Sequence, residues 1–108
     1  MSEREARVAK NETTSRDMNE RIEQAHADSP ADHFRILCEC GRSDCNRVIA
    51  ITIPEYEALR SDAREFAVVR THVMLDVEDI VRDTERFTVV RKLVGTPAEI
   101  AEEEDPRS

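Results

Sequence analysis

The 108-residue sequence contains no Trp, one Tyr and three Phe, so any core it forms must be small. Its only glycines are Gly41 and Gly95, which excludes a glycine-rich phosphate-binding loop. No apolar run is long enough to cross a bilayer, and the opening MSEREARVAKNETT has no apolar signal region; both observations point to a cytoplasmic protein. Positive charge is scarce as well. The net charge is −8, and the basic residues alternate with acids instead of clustering, a pattern unlike that of a nucleic-acid-binding surface. Neither H-E-x-x-H nor the H-x-E with P-C-x-x-C of zinc deaminases is present, so two familiar zinc-enzyme readings fall away.

Cysteine is rare too, yet all three cysteines fall inside CECGRSDC, as Cys38, Cys40 and Cys45 in the spacing C-x-C-x4-C. In a reducing compartment, an odd number of closely spaced thiols points to metal ligation before disulfides. Zinc takes four tetrahedral ligands from thiolate and imidazole, so near ligands must come from a tight turn and a distant one from another element. Gly41 relieves the curl that lets Cys38 and Cys40 reach one ion, and Ser43 and Asp44 supply turn-forming side chains before Cys45. The fourth ligand must come from outside this loop. His72 is the leading candidate, because it follows the apolar run Ala67-Val68-Val69 in a polar turn. His33 stands five residues before Cys38, and an extended Phe34–Leu37 would carry it about 3.3 Å away per residue. His26, an acid, water or a second subunit are the other choices. The expected cofactor is one Zn2+ per chain.

The chain divides by composition into a polar arm (1–31) closed by Ser29-Pro30, a compact part (32–95) and an acidic tail (96–108). In the arm, a helix is expected around Arg16–Ala25, with Met18, Ile22 and Ala25 on one face; Met18 and Ile22 are candidate partner-binding residues. Phe34–Leu37 and Val48–Ile53 read as strands flanking the cysteines. Pro54 opens a helix with Thr52 as N-cap and Glu55 in its first turn, ending near Ala63–Phe66. Ala67–Val69 and Phe87–Val90 are further strands, and Ile80-Val81 leans to strand. The tail from Gly95 holds five acids and one base, a composition expected to be solvated and disordered. The expected fold is α+β: a short antiparallel sheet, one central helix and an N-terminal helical arm around a zinc site.

Two resemblances bear on this reading. The segment Cys38–Cys45 resembles the C-x-C-G-x-x-x-C loop of post-SET zinc knuckles in histone methyltransferases, where a remote residue completes the site. That likeness covers the loop alone and implies its three-thiolate geometry, not methyl transfer. Over most of its length the chain resembles small uncharacterised zinc-binding proteins of high-GC Gram-positive bacteria. The matching parts are Asn19-Glu20-Arg21-Ile22, Phe34–Cys45, Glu55–Arg60, Arg70-Thr71-His72-Val73 and Val89-Val90-Arg91-Lys92. Thr71 and Val73 stand where those proteins have Gly and Glu. The resemblance implies a small zinc-bound domain and says little about activity.

Three thiolates make a zinc ion electron-rich and a poor Lewis acid, and a histidine in fourth place closes the site. Were water to take that place instead, Glu39 and Asp44 would be the proton-moving candidates. Arg42, Arg47, Arg60, Arg64 and Arg70 are expected to pair with nearby acids such as Glu55, Glu57, Asp62 and Glu65 in preference to gathering around an anion. The expected function is a non-catalytic zinc-binding interaction module with a protein partner, an adaptor in signalling or transcription. A thiol sensor that releases zinc on oxidation, or a nucleic-acid-binding zinc ribbon, are the alternatives.

Overall fold

The computed structural model describes residues 3–26, 33–42, 44–75, 77–93 and 101–107, with side chains from Arg7 onward. The Ser29-Pro30 break, Ser43 of the cysteine turn and Gly95 lie outside the described residues. The order is α1 (Glu3–His26), β1 (Phe34–Leu37), β2 (Val48–Ile51), α2 (Ile53–Arg60), β3 (Glu65–Val68), a 3-10 turn (Arg70–His72), β4 (Glu78–Asp83) and β5 (Thr88–Lys92). The class is α+β.

The first sheet buries alternate residues of two largely apolar strands. β1 and β2 pair antiparallel with Ile36 opposite Ile49 and Phe34 opposite Ile51, and these four side chains are buried while Arg35 and Val48 face out. β3, β5 and β4 form the second sheet in that order, both pairings antiparallel, with an irregularity in register between Ile80 and Arg82. The sheets are joined where the Glu39 amide donates to the Ala67 carbonyl at 2.9 Å. Tyr56 and Leu59 of α2 share one core with Ile36, Ile49, Phe66, Val68, Val89 and Val90 of the two sheets.

α2 begins as its sequence dictates. The Thr52 hydroxyl accepts from the Glu55 amide and the Glu55 carboxylate accepts from the Thr52 amide, a reciprocal cap, with proline in the first turn. It ends at Arg60, earlier than the apolar spacing to Ala63 suggests, because the chain turns through 61–64 into β3.

α1 departs most from expectation. It runs from Glu3 to His26, far beyond Arg16–Ala25, and it packs with the rest of the protein. Its buried positions are Ala9, Glu12, Thr13, Arg16, Asn19 and Glu20. These recur at helical spacing, so they make one face, but that face is almost wholly polar. Met18 is 48% exposed, whereas Ile22 packs against the core, so the two do not share one free surface.

Residues 101–107, placed by composition in a solvated tail, also lie against the body. Ala101 is buried in the core, and Arg107 pairs with Glu20, Glu23 and Glu57 and lies 5.9 Å from the centre of the Tyr56 ring. Asp105 pairs with buried Arg60. Charge complementarity recruits the segment: α1 and α2 present acids to its arginine, and Arg60 needs a second carboxylate beside Glu20.

Candidate metal centre

The knuckle is a β1–β2 hairpin continued past its last paired residues. Cys38 donates its amide to the Arg47 carbonyl at 3.0 Å, and the Cys45 amide donates to the Arg42 carbonyl at 3.2 Å, closing the turn. Gly41 has φ of 77°, a conformation other residues rarely adopt. A Cβ there would stand 2.5 Å from the Val8 carbonyl oxygen and 2.7 Å from Glu12 Cγ, both on α1. Glycine therefore serves two ends, the turn and the close approach of the helix.

Thirty-four residues beyond Cys38, the 3-10 turn after β3 brings His72 to the cluster. Its Nδ1 lies 3.5 Å from Cys45 Sγ and 3.8 Å from Cys38 Sγ. The ligand atoms of Cys38, Cys40, Cys45 and His72 all lie within 4.8 Å of one another. A tetrahedron with Zn–S bonds of about 2.3 Å and Zn–N of about 2.0 Å has edges of roughly 3.5–3.8 Å, so the four donors can hold a metal ion. Cys38 and Cys40 are buried; Cys45 and His72 are half-buried, and His72 borders a groove of about 790 Å³ also lined by Arg7, Asn11, Arg42 and Met74. Of the other histidines, His26 stacks on Phe34, at 5.5 Å between ring centres, and neither it nor His33 belongs to the cluster.

The thiols share their protons unevenly. A hydrogen bond from the Cys38 thiol stabilises the Cys40 thiolate against the cost of burial, and with help from the Arg42 amide, Cys45 and His72 brings its pKa down to about 5. The same hydrogen bond, with burial, pushes Cys38 up, though the Val69 amide donates to its sulfur at 3.3 Å. A poised thiolate of this kind is the form that binds metal.

Glu39, between two cysteines, points away from the cluster. Cys38 and Cys40 face one side of an extended ribbon and Glu39 the other, as alternation requires. Its carboxylate is fully buried and accepts four hydrogen bonds: Nε of Arg16 at 2.8 Å, Nη2 of Arg16 at 3.0 Å, Nδ2 of Asn19 at 3.0 Å and the Ala67 amide at 3.0 Å. Such a carboxylate is a structural anchor and stands in no position to move protons for a metal-bound water. Asp44 is exposed and pairs with Arg42 at 3.4 Å.

The arginines do not gather around an anion. Arg60 pairs with Glu20 and Asp105, Arg64 with Asp62 and Glu102, and Arg70 with Asp83. Asp62 is a partner as expected, whereas the other acids are taken by different arginines: Glu55 by Arg86, Glu57 by Arg107, and Glu65 by Arg82 and Arg91.

Sequence reasoning missed the residues that support the knuckle from behind. Asn19 brackets Leu37, donating to its carbonyl at 3.0 Å and accepting from its amide at 2.8 Å, while Asn11 donates to the Gly41 carbonyl at 3.0 Å. Arg16 also donates to the Glu65 carbonyl and lies 4.2 Å over the Phe66 ring. Nearby, Lys92 is buried between Glu12, at 2.6 Å, and Glu78. Burial raises the Glu12 pKa to about 8, against the opposing pull of Lys92. The available signal was the spacing of Asn11, Glu12, Arg16, Asn19 and Glu20, polar residues on one helical stripe.

No protein-family model, curated protein or solved structure matches the chain. Among the described residues, no helix is long and apolar enough to cross a membrane.

Proposed function

We propose that this chain is a cytoplasmic, non-catalytic interaction module built around one structural Zn2+ held by Cys38, Cys40, Cys45 and His72. The observation that carries the reading is the donor set itself: three sulfurs and one imidazole nitrogen within 4.8 Å of one another, which leave zinc no open position. The behaviour of Glu39 supports the non-catalytic part, since the carboxylate nearest in sequence is spent on Arg16, Asn19 and the Ala67 amide. A core this small gains from any ion that binds only the folded form.

Elemental analysis of purified wild type and His72→Ala, each with a melting curve before and after chelation, tests the site. One zinc per wild-type chain, with weaker retention and a lower Tm in the variant, is expected. Equal retention by both would remove His72 from the ligand set and reopen the fourth position to water and catalysis. The adaptor role rests on size and on the closed site. It is tested by capture from extract with zinc-loaded wild type and with Cys45→Ser: a partner held only by the loaded protein is expected, and an empty loaded protein would end that assignment.

A further inference from the structure

The ribbon Leu37–Gly41 has two sides. Cys38 and Cys40 turn toward the ion site, and Leu37, Glu39 and Gly41 turn toward α1, where Asn19 meets Leu37 and Glu39, Arg16 meets Glu39, and Asn11 meets Gly41. Metal and helix thus hold opposite faces of the same five residues. Apolar burial adds little to this: among the described side chains of α1 only Ala9 is both buried and apolar, with Val8 and Ile22 half-buried. At about 25 cal/mol per Å2, so little apolar surface cannot dock a 24-residue helix. Its other ties are contacts of Glu12 with Lys92 and of Glu20 with Arg60 and Arg107, in which desolvation consumes much of the attraction, together with the Arg16 contacts to the Glu65 carbonyl and Phe66 ring and the stacking of His26 on Phe34. The docking therefore depends on acceptors presented at the right places, and those acceptors keep their places only while the ribbon keeps its shape.

We infer that the metal centre is a latch for α1: ion loading holds the helix down, and ion removal lets it leave while the two sheets stay folded. The inference rests on the proposed metal site and adds what that site controls. Release would uncover Phe66, Glu39 and Lys92, three buried groups that α1 covers. The chain would then present a metal-dependent surface. Coupling of this kind is reciprocal: if the ion favours docking, docking favours the ion by the same factor.

Hydrogen exchange on the full chain, zinc-loaded and chelator-stripped, with metal content measured on the same samples, tests the latch. In the stripped protein, amides of α1 are expected to exchange about tenfold faster or more, while those of β3 and β5 keep most of their protection. Unchanged α1 protection after verified metal loss overturns the inference, and so does equal loss of protection in the sheet, which would make the ion a support for the whole fold. A protein that never held zinc would instead sink the metal-site reading beneath it, and the metal analysis separates the two failures. Asn19→Ala, which touches no metal ligand, provides the reciprocal arm. With zinc as the probe, its Kd is expected to rise several-fold relative to wild type, while Arg21→Ala on the exposed side of α1 leaves Kd unchanged. An unchanged Kd in Asn19→Ala also overturns the latch.

Discussion

The helices α1 and α2 are stabilised in opposite ways. α2 is eight residues long, carries its own reciprocal cap and a proline start, and buries Tyr56 and Leu59 in the core. α1 is three times that length, and among its described side chains the buried ones are Glu12, Thr13, Arg16, Asn19 and Glu20 with Ala9. The short helix is secured by local chemistry and apolar burial, while the long one is secured by partners contributed from elsewhere in the fold. A helix without an apolar stripe is thus not necessarily a solvated one. Its polar residues stay buried because each finds a partner in place: Arg16 meets Glu39, Asn19 meets both backbone groups of Leu37, and Glu20 meets Arg60.

The contrast breaks most readily at Arg16. Arg16→Met leaves the Glu39 carboxylate buried without its cation, and a broken buried pair costs about 3–5 kcal/mol. The double variant Arg16→Met with Glu39→Gln should recover a large part of that loss, because glutamine still accepts from the Ala67 amide without needing a counter-charge. Urea unfolding of the zinc-loaded proteins checks this; a double variant less stable than Arg16→Met alone would show that the pair is not what docks the helix.

pH sharpens the same contrast through Glu12. In the unfolded chain its carboxyl titrates near 4.5, and in the folded chain burial holds the proton to about 8. Between those values the folded state binds more protons, so this group's contribution to stability declines as pH rises from about 4.5 to about 8. Glu12→Gln removes that dependence. The variant's stability relative to wild type should therefore climb across the window by at most about 1.4 kcal/mol per pH unit. Comparing the two proteins at each pH cancels the separate effect of pH on zinc binding, and parallel unfolding midpoints at every pH would contradict the protonated Glu12.

α2 gives the smallest effect. Thr52→Ala removes the side chain that accepts from the Glu55 amide and should cost about 1 kcal/mol by urea unfolding, with metal content unchanged. A loss of zinc in this variant would mean that α2 too is coupled to the knuckle, and the difference between the helices would narrow.

Elements built on local rules were legible in advance. The C-x-C-x4-C turn announces a metal loop because three thiols within eight residues have few other uses, and the α2 cap is written in Thr52, Pro54 and Glu55. β1 and β2 follow from their apolar, largely β-branched composition on either side of the cysteines. His72 was reached by elimination instead, since nothing local marks a ligand thirty-four residues from Cys38. The buried polar face of α1 was not legible because apolar periodicity detects only apolar burial; of the residues it singled out, Ile22 packs against the core and Met18 is exposed. The acidic segment at 101–107 failed for a related reason: composition records its charge but not that Glu20, Glu57 and Arg60 stand ready to meet it.

By itself, then, the sequence determined the chemistry of the three-cysteine loop, the start of α2 and the strand character of the hairpin, all of which depend on neighbours a few residues apart. The tertiary structure alone decided which histidine joins the cysteines, which side of Glu39 faces α1, and where the charges of both chain ends are spent. Coulombic and hydrogen-bonded partners carry no periodic signature along the chain, because each depends on a group that arrives only when distant segments fold together.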